Sequence, residues 1–123
     1  MNSIIFKTRN ELVKVDINNM IYAEADGNYV YIHMRNGMKL MITMSLQTFE
    51  SVITKTLERE NDRTFIRIGR KYIVDKKYIT VINVSKQRLV LTDADRISPI
   101  SINIPKEALK NIKQKLIEEE AWK

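Results

Sequence analysis

Between residues 29 and 43 apolar and polar side chains alternate on both sides of Asn36-Gly37, and no other segment restricts the fold as much. Alternation sends successive side chains to opposite faces of a strand. An Asn-Gly pair between two such runs is the strongest short hairpin signal, because both residues tolerate the positive φ of a tight turn. Residues 29–35 are therefore expected to pair with residues 38–43. Val30, Ile32 and Met34 should enter the core, leaving Tyr31, His33 and Arg35 on the other face.

Short strand-like runs dominate the rest of the chain. Residues 3–7 and 11–15 flank a turn at Arg9-Asn10, and 20–25 runs into Asp26-Gly27-Asn28. Strand character returns at 65–68, 72–74 and 78–84. A turn at 85–87 leads into 88–91, a polar turn covers 93–96, and 98–103 is the last strand. The period lengthens twice. Leu46, Phe49, Ile53 and Leu57 recur at helical spacing, with Val52 and Thr56 alongside, and Ser45 suits the N-cap. The third helical position carries neither Glu nor Gln, so the capping box is incomplete. A charged loop at 58–63 follows. Pro105 suits the first turn of a closing helix whose apolar stripe is Leu109, Ile112 and Leu116. Lys106, Lys110, Lys113 and Lys115 make its other faces basic, and 118–123 is expected to fray. The pattern predicts a mainly β fold, with one short internal helix and one C-terminal helix. It forms one domain over 1–123, with its core at about 6–112 and a helix end or tail at 113–123.

The chemistry of most enzymes is missing. One histidine, His33, and no cysteine leave triads, Cys/His dyads and thiolate metal sites without their parts. His33 on a strand reads as a surface or cross-strand residue. Glu24 and Asp26 read as turn chemistry and local charge balance. Three glycines cannot supply a phosphate or dinucleotide loop. No enzyme, cofactor, metal or small-molecule substrate is expected. No uncharged apolar run is long enough to span a bilayer, and the N-terminus lacks a signal-peptide pattern. No membrane association is expected, and a cytoplasmic location is the default.

A net charge of +6 favours polyanionic partners, although many basic proteins bind no nucleic acid. Where the charge sits is more informative. In RTFIRIGRKYIVDKK, Arg63, Arg67, Arg70, Lys71, Lys76 and Lys77 face a single acid, Asp75. Apolar strand segments flank Gly69-Arg70-Lys71, which makes it a basic tip on a fixed scaffold. Arginine there can bond guanine O6 and N7 with its planar fork, and Lys71 suits phosphate as a mobile point charge. On composition alone a solvated loop explains the segment equally well. Asn28, after Gly27, can donate and accept as an adenine edge requires, but an ordinary turn is the plainer reading. Lys86 and Arg88 fit phosphate contacts or hairpin decoration. Asn103, shortly before Pro105, faces DNA or helps to start the helix.

Together the segments MIYAEADGNYVYIHMRNG, MSLQTFE and FIRIGRKYIVDKKYITVI resemble the LytTR DNA-binding domain of bacterial transcriptional regulators. The resemblance runs from about Phe6 to about Ile112. It implies an elongated arrangement of small antiparallel sheets and hairpins that reads major grooves of duplex DNA through loops. It also implies repeated half-sites, often with bending of the DNA. The family's first reading loop falls at Asn28. Its second block, F-x-R-I-H-R-S-Y-I-V-N, appears as FIRIGRKYIVD, with Gly69, Lys71 and Asp75 in place of its His, Ser and Asn. Lys71 adds a positive charge at the tip. The family's later P-V-S-R element appears here as Pro99-Ile100-Ser101-Ile102-Asn103, with Asn103 the nearest polar replacement for its Arg.

Taken together with the residue chemistry, base contacts are expected from Asn28, Arg70 and Asn103, and phosphate contacts from Arg67, Lys71, Lys86, Arg88 and Lys106. A homodimer assembled on DNA and a separate signalling partner are both compatible with it. Most relatives carry a receiver domain before this module. Here the domain begins directly after Met1, so a stand-alone regulator is expected. Two other readings stay open. An RNA-binding module would use Tyr29 and Tyr31 for base stacking. A protein-interaction module would carry its charge incidentally.

Overall fold

The computed structural model describes residues 3–59, 62, 64–93 and 98–119. Arg63, most of the polar turn at 93–96 and residues 120–123 lie outside the described residues. The chain forms ten strands in order: β1 (Ser3–Lys7), β2 (Leu12–Asp16), β3 (Met20–Asp26), β4 (Tyr29–Met34), β5 (Lys39–Thr43), β6 (Phe65–Ile68), β7 (Tyr72–Asp75), β8 (Ile79–Asn83), β9 (Arg88–Leu91) and β10 (Ile100–Asn103). Helix α1 (Leu46–Glu58) follows β5, and α2 (Lys106–Glu119) closes the chain. The strands make three antiparallel sheets: β1-β2, β5-β4-β3-β7-β6 and β10-β9-β8. This is the mainly β class, with one internal and one C-terminal helix.

The five-stranded sheet is the middle layer. One face, through Ala23, Val30, Ile32, Ile42 and Ile73, packs against β1-β2 and the apolar stripe of α1. Val30, Ile32 and Met34 point into this core, as their alternation requires. The other face, through Tyr22, Ile66, Ile68 and Val74, meets the three-stranded sheet and α2. The register shift between Met20 and Tyr22 lets the neighbours Ile21 and Tyr22 both join this second core.

Both helices follow their sequence signals. Leu46, Phe49, Ile53 and Leu57 are buried on α1, and the Ser45 hydroxyl accepts from Thr48 N at 3.1 Å. Leu109, Ile112 and Leu116 are buried on α2. Its first backbone bond runs from Leu109 N to the Pro105 carbonyl at 3.1 Å, so the proline stands at the cap, one residue before the helix. The first turn of α2 lies beside Gly69, where an added Cβ would sit 3.5 Å from Ala108 Cβ. Its last turn lies beside the end of β7, where Lys76 Nζ meets Glu119 Oε1 at 3.1 Å. The helix therefore spans the sheet from the Gly69 end to the opposite end.

Several boundaries differ from the sequence expectation. The hairpin at Asn36-Gly37 has a three-residue loop, because Met34 N donates to Met38 O at 2.9 Å and Arg35 leaves the strand. Arg35 N bonds Asn19 O at 2.7 Å, and its Nε reaches Asp93 Oδ2 at 2.7 Å, so tertiary partners draw it out. Residues 17–19 and 76–78 form single 3-10 turns. In each, an aspartate at the cap, Asp16 or Asp75, accepts from the backbone N two residues on. The strand expected at 78–84 accordingly starts at Ile79, and the last strand starts at Ile100. Among the described residues no helix is long and apolar enough to cross a membrane.

Candidate nucleic-acid interface

Two turns meet at one end of the five-stranded sheet. Asp26 pairs with Tyr29, so Gly27-Asn28 is a two-residue turn, and Gly27 at φ 59° supplies the positive φ that its first position needs. Ile68 pairs with Tyr72, so Gly69-Arg70-Lys71 is a three-residue loop. The β3–β7 register ends at Glu24 opposite Tyr72 and is extended by Ala25 N donating to Lys71 O at 2.8 Å. That bond ties the base of the Asn28 turn to the Arg70 loop. Asn28, Gly69, Arg70 and Lys71 are all exposed. The Arg35–Gly37 loop lies at the far end of the sheet.

The remaining cations are gathered by the second sheet. Asn103 lies directly opposite Arg88. The loop joining β8 to β9 is shaped by Asn83, whose Oδ1 accepts from Lys86 N at 3.0 Å and from Ser85 Oγ at 3.1 Å. Gln87 takes φ 52°, and its carbonyl accepts from Ile104 N at 3.0 Å. This last bond carries the chain from Asn103 into α2 beside the hairpin tip. Lys86, Arg88, Asn103 and Lys106 are exposed. The first turn of α2, with Lys106 at its start, connects this group to the Gly69 loop through Ala108.

Arg67 has a different setting. Its Nη1 bonds Glu50 Oε1 at 2.7 Å, its Nε bonds Gly69 O at 3.0 Å, and its Nη2 bonds Arg70 O at 3.2 Å. Every nitrogen of the guanidinium is thus engaged within the protein. Glu50 on α1 was not foreseen, because a sequence shows a charge but not its partner across a fold. Glu24 was foreseen only as local charge balance. Its carboxylate lies 3.6 Å from Lys71 Nζ and 3.4 Å from His33 Nε2. The His33 ring stacks on Tyr22 with centroids 4.1 Å apart. Burial lowers the His33 pKa below its ordinary value, against the opposing pull of Glu24. Burial, with help from Glu24 and Tyr72, pushes the Tyr22 hydroxyl up to about 12. Asp75 is fully buried, and burial raises its carboxyl pKa. It bonds Lys77 N at 3.0 Å and pairs with Lys77 Nζ at 3.2 Å. This residue caps a turn at the end of β7 remote from the tip. Among the described residues no group of three or more His, Asp or Glu could hold a metal ion.

Gly69 takes φ 60°, which a side chain disfavours, while the space around it is ordinary contact distance. Gly69→Ala is expected to lower stability by roughly 1–2 kcal/mol through backbone strain alone. Urea unfolding measures it, and an unchanged midpoint would exclude a left-handed backbone at this position.

The sequence model of the LytTr DNA-binding domain family matches residues 10–117. Among solved structures, a LytTr DNA-binding domain from Bacillus cereus superposes with a TM-score of 0.62 at 20% identity, covering 94% of this chain and 97% of that one. At that identity the likeness speaks for the fold alone. No curated protein matches the chain. The family pattern extends from β2 through most of α2 on the family's own fold, and the chain belongs to the LytTr DNA-binding domain family.

Proposed function

We propose that the chain is a non-enzymatic transcriptional regulator that binds duplex DNA and reads major grooves through its loops. The observation that carries this reading is the bond from Ala25 N to Lys71 O, which joins the Asn28 turn to the Arg70 loop at one sheet end. A base-reading side chain must be held at a fixed height above the groove, and exposed turns on a hydrogen-bonded sheet do that. In this reading Arg70 and Asn28 contact base edges, and Asn103 supplies a third contact. Lys71, Lys86, Arg88 and Lys106 hold phosphates. Lys71 exchanges its weak contact with Glu24 for a phosphate oxygen, and its ammonium is exposed enough to do so. Repeated half-sites, a dimer assembled on DNA and a separate signalling partner complete the proposal.

The RNA alternative is weakened at Tyr31, whose ring is already covered by Lys39 Nζ at 4.8 Å from its centroid. Selection from a random duplex pool, followed by titration of the winning sequence across a salt series, tests the reading. Lys71→Ala is expected to weaken all duplexes alike and to reduce the slope of log affinity against log salt by about 0.9. Preferential binding to single-stranded RNA would move the chain to the RNA class. A protein partner bound without salt dependence, and no duplex bound at low salt, would favour the interaction module.

A further inference from the structure

We infer that Arg67 is a positioning residue that locks the backbone of Arg70 to helix α1, and that it does not serve DNA as a phosphate contact. The inference rests on the DNA-reading proposal and deepens it. The carbonyls of Gly69 and Arg70 belong to the two peptide planes on either side of the Arg70 Cα. Arg67 donates to both, through Nε at 3.0 Å and Nη2 at 3.2 Å. One rigid, planar group therefore restricts φ and ψ of Arg70 together, and with them the direction of its Cα–Cβ bond. The Lys71 carbonyl is held separately by Ala25 N at 2.8 Å. All the carbonyls of the Gly69-Arg70-Lys71 loop are thus bonded, although the loop is exposed.

The third nitrogen anchors this clamp. Nη1 meets Glu50 Oε1 at 2.7 Å, a short charge-assisted bond to the second turn of α1. Glu50 follows Phe49, which is fully buried, so its backbone cannot drift. The path from core to loop is short: Phe49, Glu50, Arg67, then the two peptides around Arg70. The same pairing argues against a phosphate role. Glu50 neutralises the guanidinium at contact distance, and a phosphate approaching Arg67 would meet the carboxylate as well. Lysine cannot replace this arginine, because an ammonium is a point charge without a planar fork.

The test compares wild type, Arg67→Lys and Glu50→Gln on the selected duplex and on a random duplex of equal length, across salt. Arg67→Lys keeps the charge and is expected to lose about fivefold or more on the selected duplex while random-duplex affinity and salt slope stay put. Glu50→Gln removes a negative charge. If Arg67 held a phosphate, this change would remove the competing carboxylate and raise affinity for both duplexes alike. The positioning role predicts the opposite sign on the selected duplex, so the ratio of selected to random affinity falls. Full retention of selected affinity in Arg67→Lys, or an equal rise on both duplexes in Glu50→Gln that leaves their ratio unchanged, overturns the inference. NMR order parameters of the Gly69, Arg70 and Lys71 amides in free protein give an independent readout. They are expected to drop in both variants while the melting temperature holds, and unchanged values overturn the clamp even if no duplex is bound. Absence of any duplex binding by wild type, with the order parameters dropping as stated, would instead reject the DNA-reading proposal and leave the clamp standing.

Discussion

Phe49→Ala is expected to destabilise the fold by about 3–5 kcal/mol, the usual cost of removing a buried aromatic ring from a packed core. Phe49 is fully buried in the middle of the α1 stripe. Its ring stacks on Phe6 with centroids 4.5 Å apart and planes 11° apart. Phe6 lies on β1 and is also fully buried, so this pair joins the small N-terminal sheet to the helix and both to the central sheet. Truncation leaves a cavity between two elements that cannot both close on it. A small domain has a net stability of only about 5–15 kcal/mol, so the variant should unfold well below the wild-type midpoint in urea. Tyr29→Ala, at a residue 40% exposed, supplies the control and should cost clearly less. A loss at Phe49 no larger than at Tyr29 would mean that the two rings do not pack as described.

Elements whose signal is local were legible in the sequence. The alternation around Val30, Ile32 and Met34 set the inward face of β4. The spacing of Leu46, Phe49, Ile53 and Leu57 set the buried face of α1, and Ser45 marked its start. Features that depend on distant partners were not legible. The hairpin loop lengthened because Arg35 is drawn to Asn19 and Asp93, far from the Asn-Gly pair in sequence. The shift that turns Ile21 and Tyr22 into one core belongs to the β3–β4 pairing, just outside the stretch of β3 that also pairs with β7. Some signal for the 3-10 turns was present. Asp16 and Asp75 each stand between two strand-like runs, and aspartate readily accepts from the backbone N two residues on.

The candidate interface was legible as charge and opaque as geometry. Hydrophobic strands on either side of Gly69-Arg70-Lys71 marked it as a basic loop between strands, and the β6–β7 register places it there. The family's departures at this block now separate by position. Gly69 sits in a left-handed backbone against α2, and Lys71 sits beside Glu24. Asp75 lies at the other end of β7, buried, where it shapes a turn. Arg67 and Arg70 look equivalent in the sequence, three residues apart and equally basic. Their surroundings divide them: the guanidinium of Arg67 is bonded to Glu50 and two carbonyls, while the side chain of Arg70 is exposed at the loop apex.

That division makes Arg70→Ala the variant with the largest expected effect on DNA recognition. A bidentate contact from arginine to guanine O6 and N7 contributes roughly 1–3 kcal/mol of discrimination against another base. The loss on the selected duplex should therefore be about 5-fold to 150-fold, and preference should relax at one base pair. Random duplex should lose far less, since only a general attraction between cation and polyanion disappears there. Arg70→Lys separates the two contributions. It retains the charge but not the fork, so it should keep the random-duplex affinity and salt slope of wild type while losing most of the base preference. Repeating the selection with the Arg70→Ala protein locates the affected position, which should carry guanine for wild type and no preference for the variant. Equal losses on selected and random duplex, with the preference profile unchanged, would remove Arg70 from the base-reading set and make it a phosphate contact. In that case Asn28, exposed on the neighbouring turn, would be the base reader left at this end of the sheet.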